Sequence, residues 1–192
     1  PVPGAELAGV HVLRTMADVT AIRAHVAPGR HAAIVGGGYI GLECAASFRK
    51  LGLEVTVIEM MDRVMSRVVA PEMSRFYQAE HEAHGVRILT GTRVSAFHGD
   101  GRVNAVECTD GTRVPADFAI VGIGLVPNTG IAEAAGIRCD DGIAVDEHCR
   151  TSAENIYAIG DCCSFPSVRY GRRIRLEGDD GDRARPGPPA TA

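Results

Sequence analysis

Apolar residues fall into short runs, each stopped by glycine or followed by a stretch of helical period. His31–Val35 (HAAIV) is apolar and is broken at once by Gly36-Gly37-Gly38, so it reads as a buried strand. Residues 39–51 follow with Ile40, Cys44, Phe48 and Leu51 at helical spacing, and Gly52 ends that helix. LEVTVIE, with its β-branched residues, predicts a second buried strand ending at Glu59. Pro71 opens a further helix whose buried face is expected to be Met73, Phe76 and Tyr77, with Gly85 closing it. VRIL is a third strand. From about Arg93 to Val114 the period shortens to that of β-hairpins, with Gly99-Asp100-Gly101 and Asp110-Gly111 as turns. DFAIVGIG, a short helix over 129–135, a small strand over 143–145 and an apolar strand over 155–161 (NIYAIGD) complete the pattern. Before all of these, Asp18 is expected to cap a helix running to Val26, stopped by Pro28-Gly29.

The alternation of strands and helices predicts an α/β fold: a Rossmann-like parallel sheet with helices and an inserted antiparallel β-meander. Composition agrees. The chain has 192 residues, 45% of them hydrophobic and 23% charged, which suits a globular protein and excludes wholesale disorder. A net charge of −4 argues against nucleic-acid binding, which needs a basic face. No apolar run approaches the ~18 residues of a membrane span, and PVPGAELAGV lacks the features of a signal peptide. The six cysteines, Cys44, Cys108, Cys139, Cys149, Cys162 and Cys163, form no C-x-x-C pair and read as reduced thiols of a cytoplasmic protein.

Gly36, Gly38 and Gly41 form G-x-G-x-x-G between a predicted strand and a predicted helix. In such a turn the first glycine permits the sharp bend, the second lets backbone approach a pyrophosphate, and the third lets helix and strand pack closely. The N–H groups that open the helix, at Tyr39 and Ile40, then face the phosphates. Glu59 lies about 20 residues further on, where a carboxylate accepts bonds from an adenosine ribose. It would repel a 2′-phosphate, which favours NAD over NADP. Arg63 could bind a phosphate, but neutralising a surface is the plainer reading.

GGGYIGLECA, VTVIE, VGIGLVPNT and RTSAENIYAIGDC together resemble the FAD-dependent NADH:ferredoxin reductases of the rubredoxin and putidaredoxin type, within the pyridine nucleotide–disulfide oxidoreductase superfamily. The resemblance implies that Gly36, Gly38 and Gly41 hold the NADH pyrophosphate and Glu59 its ribose. It places Glu43 and Gly122 near the nicotinamide, and Asp161, after Gly160, on the FAD ribityl chain. It further implies cofactors NAD and FAD, hydride transfer from NADH to FAD, and electron delivery to a ferredoxin- or rubredoxin-type acceptor. The organisation it implies is a connector and helix of the FAD domain (1–30), an NAD domain (31–150) and a returning FAD segment (151–177); beyond it, composition dense in Gly, Pro, Asp and Arg predicts a disordered tail (178–192). Only one G-x-G-x-x-G is present, so the expectation is a central fragment of such an enzyme. Two readings stand beside it: a non-catalytic NADH-binding fragment, and another superfamily member such as an NADH oxidase or disulfide reductase. A self-contained NAD dehydrogenase would need a catalytic His or Tyr/Lys set, and none stands out.

Other features are expected to be structural. His81-Glu82-Ala83-His84 has the wrong spacing for H-E-x-x-H zinc binding and reads as a solvated helix face. Cys162-Cys163 read as two ordinary thiols, Met60, Met61 and Met65 as packing residues. Arg172, Arg173 and Arg175 read as a solvated surface rather than a docking site for an acidic partner. No catalytic side chain and no metal ligand is assigned.

Overall fold

The computed structural model describes residues 2–175, so the tail expected over 178–192 lies outside the described residues. The chain divides into two compact units, Pro1–Gly124 and Leu125–Ala192.

The first unit is built on a five-stranded, all-parallel sheet. Its strands are β1 (Val10–His11), β2 (His31–Val35), β3 (Glu54–Ile58), β4 (Val86–Leu89) and β8 (Phe118–Val121), in the order β1-β8-β2-β3-β4. Helix α2 (Tyr39–Lys50) connects β2 to β3, and α3 (Pro71–Ala83) connects β3 to β4. Between β4 and β8 the chain forms an antiparallel meander of β5 (Val94–His98), β6 (Ala105–Cys108) and β7 (Arg113–Pro115). The Rossmann-like sheet with its inserted meander is therefore present.

Strand alternation explains the layering. Ala32, Ile34, Phe118 and Ile120 point to one face, where they pack with Cys44, Ala45 and Phe48 of α2 and with Ile22. Ala33 and Ala119 point to the other face, which the meander covers with Phe97, Val106 and Val114. Both faces of the parallel sheet are buried, as such a sheet requires.

Several local expectations are corrected. Two residues of the presumed connector, Val10 and His11, form the edge strand β1, paired with Ala119 and Ile120. Helix α1 (Met16–Arg23) is capped by Thr15, not Asp18. Asp18 instead closes a capping box, its carboxylate accepting from the Thr15 N–H at 2.7 Å while its own N–H donates to Thr15 Oγ1 at 3.2 Å. The buried face of α2 is Gly41, Leu42, Cys44, Ala45 and Phe48; Ile40 and Leu51 are exposed. On α3, Met73 and Phe76 are exposed, and the buried side chain is Ser74.

The second unit holds α4 (Gly130–Ala134) and a three-stranded sheet of β9 (Ile143–Ala144), β10 (Cys163–Ser167) and β11 (Arg172–Arg175). NIYAIGD is not a strand. Ile156, Tyr157 and Ile159 are exposed, Tyr157 makes a lone bridge to Arg150, and Gly160–Cys162 is a single 3-10 turn. The core of this unit comprises Val145, Ala158 and Cys163, with Ile143 and Phe165. The arginine run lies on β11, where Arg172 is exposed as expected but Arg173 and Arg175 are not a solvated surface. Arg173 bonds the carbonyls of Ser164 and Val145, and Arg175 is 6% exposed and pairs with Asp141 at 3.5 Å. Among the described residues no helix is long and apolar enough to cross a membrane.

Candidate functional site

In the first unit β2 lies between β3 and β8, so the chain leaves β2 in one direction and later returns on its other side. Beyond the carboxyl ends of these strands lies the switch point at which open α/β sheets bind ligands. Gly36 ends β2 and Gly122 ends β8. The Gly36 N–H donates to Ile58 O at 2.9 Å, and the Gly122 N–H to Val35 O at 2.8 Å.

The glycines here are required by space. A Cβ on Gly36, whose φ is +111°, would overlap the Gly122 carbonyl, and one on Gly41 would overlap the Gly36 carbonyl. Gly41 therefore sets how closely α2 packs on β2. Gly38 is different. It is the N-cap residue of α2, no side chain caps that helix, and a Cβ there would meet nothing within 4 Å. The helix N-terminus, with Tyr39 and Ile40 as its first residues, thus opens onto free space beside a residue without a side chain. That open space and the uncapped helix N-terminus suit a pyrophosphate.

Glu59, half-buried past the end of β3, is tied into the same turn. Its Oε2 accepts from the Gly37 N–H at 2.6 Å and its Oε1 from the Met61 N–H at 2.8 Å. Gly37 is held on its other side by the Met65 N–H, which donates to its carbonyl at 2.9 Å. A Cβ on Gly37 would lie 3.1 Å from Val64 Cγ1 and 3.2 Å from Glu59 Oε2. The middle glycine of GGG is therefore constrained too, less severely than Gly36 and unlike Gly38, although the motif leaves that position free.

The segment that grips Gly37 is itself anchored. Val64 and Met65 are buried against Leu42, with Tyr39 and Tyr77 packed on them, and Met65 takes φ +51°. Arg63 donates to Val69 O at 2.9 Å, Ser66 O at 2.8 Å and Ser74 Oγ at 2.8 Å. Ser74 Oγ in turn donates to Val64 O at 2.7 Å. Arg63 is thus a clamp on the 64–70 segment, with three of its five N–H donors engaged by this chain. Met65 is a packing residue, whereas Met60 and Met61 are exposed. Residue pattern hid this support: only the middle glycine of GGG and a small residue, Ser74, among the larger residues of α3 hint at it.

The expected site residues fall into three places. Gly36, Gly38, Tyr39, Ile40, Gly41, Glu59 and Gly122 converge on one edge of the sheet. Glu43 is exposed on α2; burial, reinforced by the Glu43 charge, pushes the neighbouring Cys44 thiol up to about 11. Gly160 and Asp161 sit on the exposed 3-10 turn of the second unit, where the Asp161 carboxylate is open to solvent. On the same turn, Cys162 and Cys163 donate to the carbonyls of Ile159 and Gly160. Burial raises the Cys163 thiol. Among the described residues no group of three or more His, Cys, Asp or Glu is placed to hold a metal ion.

Comparison with known proteins gives concordant results. The family model described as pyridine nucleotide-disulphide oxidoreductase matches residues 1–177. The ferredoxin reductase subunit of 5,5′-dehydrodivanillate O-demethylase from a Sphingobium species is 47% identical over 91% of this chain and 43% of its own length. Putidaredoxin reductase CamA of Pseudomonas putida is 46% identical over 86% of this chain and 40% of its own. Among solved structures, the ferredoxin reductase for the CYP199A2 system from Rhodopseudomonas palustris superposes with a TM-score of 0.84 at 43% identity, over 92% of this chain and 44% of that one. The covalent putidaredoxin reductase–putidaredoxin complex gives 0.82 at 44% identity, over 92% and 44%. The chain spans about two-fifths of the length of the curated relatives it matches.

Proposed function

Because this chain belongs to the pyridine nucleotide-disulphide oxidoreductase family, we propose that its first unit is the NADH-binding part of an FAD-dependent NADH:ferredoxin-type reductase. The observation that carries this reading is the open space at Gly38, beside an uncapped helix N-terminus and a carboxylate fixed at the next strand end. When bound, NADH supplies a hydride that FAD accepts and passes on as single electrons to a ferredoxin- or rubredoxin-type acceptor.

This chain's residues bind and orient. The opening N–H groups of α2 and the helix dipole hold the pyrophosphate. Gly36 and Gly41 keep strand and helix close enough for that turn to exist. Glu59 keeps two lone-pair directions beyond its backbone bonds, enough to accept from both ribose hydroxyls. Its charge disfavours a 2′-phosphate, and Arg63, engaged with carbonyls, does not offset it. NAD is therefore the favoured nucleotide. Glu43 and Gly122 border the nicotinamide end. Asp161, with Gly160, is an acceptor for flavin hydroxyls, and its exposed carboxylate suits that role. The relatives' names include putidaredoxin reductase and rubredoxin-NAD(+) reductase, which supports the choice of acceptor class. The organisation that fits this reading remains the one expected from the sequence, an NAD domain over 31–150 between FAD-domain segments at 1–30 and 151–177, with one difference: β1 and Ile22 of 1–30 pack into the same unit as the glycine turn, and residues 125–150 belong to the second unit. The free Cys44 and Cys108, both buried, support a cytoplasmic setting.

The test fills that space. Gly38→Val places its Cβ where no atom lies within 4 Å, so the fold is expected to tolerate it and the nucleotide is not. NADH titration followed by nicotinamide fluorescence is expected to saturate with the native chain and to fail with the variant. Equal binding by both would overturn the reading. FAD retained on ultrafiltration by the native chain and lost in Asp161→Ala would support the flavin role.

A further inference from the structure

At the opposite, amino-terminal edge of the same sheet lies a cavity of about 700 Å³, wholly within the first unit. It is lined by His25, which follows α1, by Arg30 and His31 at the start of β2, by Asp100 and Arg102 in the β5–β6 turn, and by Asp117 before β8. The proposed nucleotide site uses none of these residues.

Two guanidinium groups contact His25 there, one at its ring and one at its backbone carbonyl. Arg102 Nη1 lies 3.0 Å from His25 Nδ1, and Arg30 Nη1 donates to the His25 carbonyl at 3.4 Å. Guanidinium only donates, so Nδ1 accepts and His25 is neutral. Neither arginine pairs with a carboxylate among the described residues. Of the two acids in the lining, Asp117 is engaged: its Oδ2 accepts from the His31 N–H at 2.8 Å. Two arginines that line one cavity, both in contact with His25 and neither with a carboxylate partner among the described residues, are an arrangement that an oxyanion completes.

We propose that this cavity binds a doubly charged oxyanion, the phosphate or sulfate group of a small molecule, between Arg30 and Arg102 with His25 as third donor. Arg102 turns from His25 Nδ1 to the anion, and Nδ1 takes a proton from solvent. The groups facing His25 are known. His11 of β1 lies 5.0 Å away ring to ring, and Asp18 of α1 acts on His11; Phe118 stacks on His25 at 5.7 Å; Arg30 and Arg102 supply positive charge. Burial first, then His11, Arg102 and Arg30, hold His25 below the ordinary imidazole range. A bound dianion reverses the charge part of that effect, so binding strengthens as pH falls.

Sodium sulfate, a dianion throughout pH 5–8, and phenyl phosphate are titrated into the 192-residue chain at fixed ionic strength. Histidine ring ¹H–¹⁵N spectra report on His25 itself, so binding at the glycine turn does not enter. Saturable shifts are expected, with the His25 midpoint moving up by about one unit. Arg102→Gln and Arg30→Gln each weaken sulfate about tenfold, and Asp100→Asn tightens it. Phenyl phosphate much tighter than sulfate identifies an organic phosphate as the ligand; similar affinities identify a free oxyanion. Shifts linear in concentration, or unchanged in both arginine variants, would overturn the proposal.

Discussion

Glu59→Gln separates what the Glu59 charge does from what its shape does. In the native chain both carboxylate oxygens accept backbone N–H groups, from Gly37 at 2.6 Å and from Met61 at 2.8 Å. Glutamine has the same shape but only one acceptor oxygen, so one of the two N–H groups must face an NH₂ donor. Losing a charge-assisted bond costs about 1.5–3 kcal/mol, and half-burial puts this site near the lower end. For a chain of this size each kcal/mol moves the melting midpoint by about 2–4 °C, so Tm should fall by about 3–8 °C. The nucleotide loses more, because a loosened Gly37 no longer presents the pyrophosphate turn and a ribose acceptor has gone. NADH affinity is expected to fall by at least about tenfold, the equivalent of 1.4 kcal/mol. Thermal melting and fluorescence titration of the same sample measure both, and the chain has no tryptophan to contribute background. A variant that melts within a degree of the native chain and binds NADH equally would refute the role given to this carboxylate.

Two further outcomes follow from the same geometry. Ser74→Ala removes a 1%-exposed hydroxyl that accepts from Arg63 and donates to Val64 O; stability to urea should fall by about 1–3 kcal/mol, with weaker NADH binding as the 64–70 segment loosens from Gly37. Acidification should destabilise the protein below the ordinary imidazole value of 6.5, because burial holds His11, His25 and His81 beneath it. The unfolded chain takes up protons first, so stability rises with pH in that window and is lost as pH falls through it. Urea midpoints between pH 7.5 and 5 should show this slope, and His25→Gln should flatten it.

The parallel sheet and the glycine turn were legible because each rests on local pattern: apolar runs for β2, β3, β4 and β8, and three glycines between a strand and a helix. What escaped depends on contacts distant in sequence. Val10 and His11 become a strand only because β8, over a hundred residues later, lies beside them. Ile40 and Leu51 keep helical spacing with Cys44 and Phe48, yet α2 rests on β2 through Gly41 and Ala45, which turns them outward. NIYAIGD has strand composition without a strand neighbour, and it ends in a turn. At the candidate site, motif spacing singled out Gly36, Gly38, Gly41 and Glu59. It did not reveal that Glu59 bonds Gly37, or that Arg63, Ser74 and Met65 hold that glycine from the other side.

The central claim is that the glycine turn and Glu59 form a site for NADH. Its most direct test is a titration of the native chain with NADH and with NADPH, read by nicotinamide fluorescence beside a thermal melt. The account requires saturable NADH binding by a cooperatively folded chain and NADPH binding weaker by about tenfold or more, from the charge at Glu59. A folded chain that binds neither nucleotide, or that binds NADPH as tightly as NADH, would contradict it.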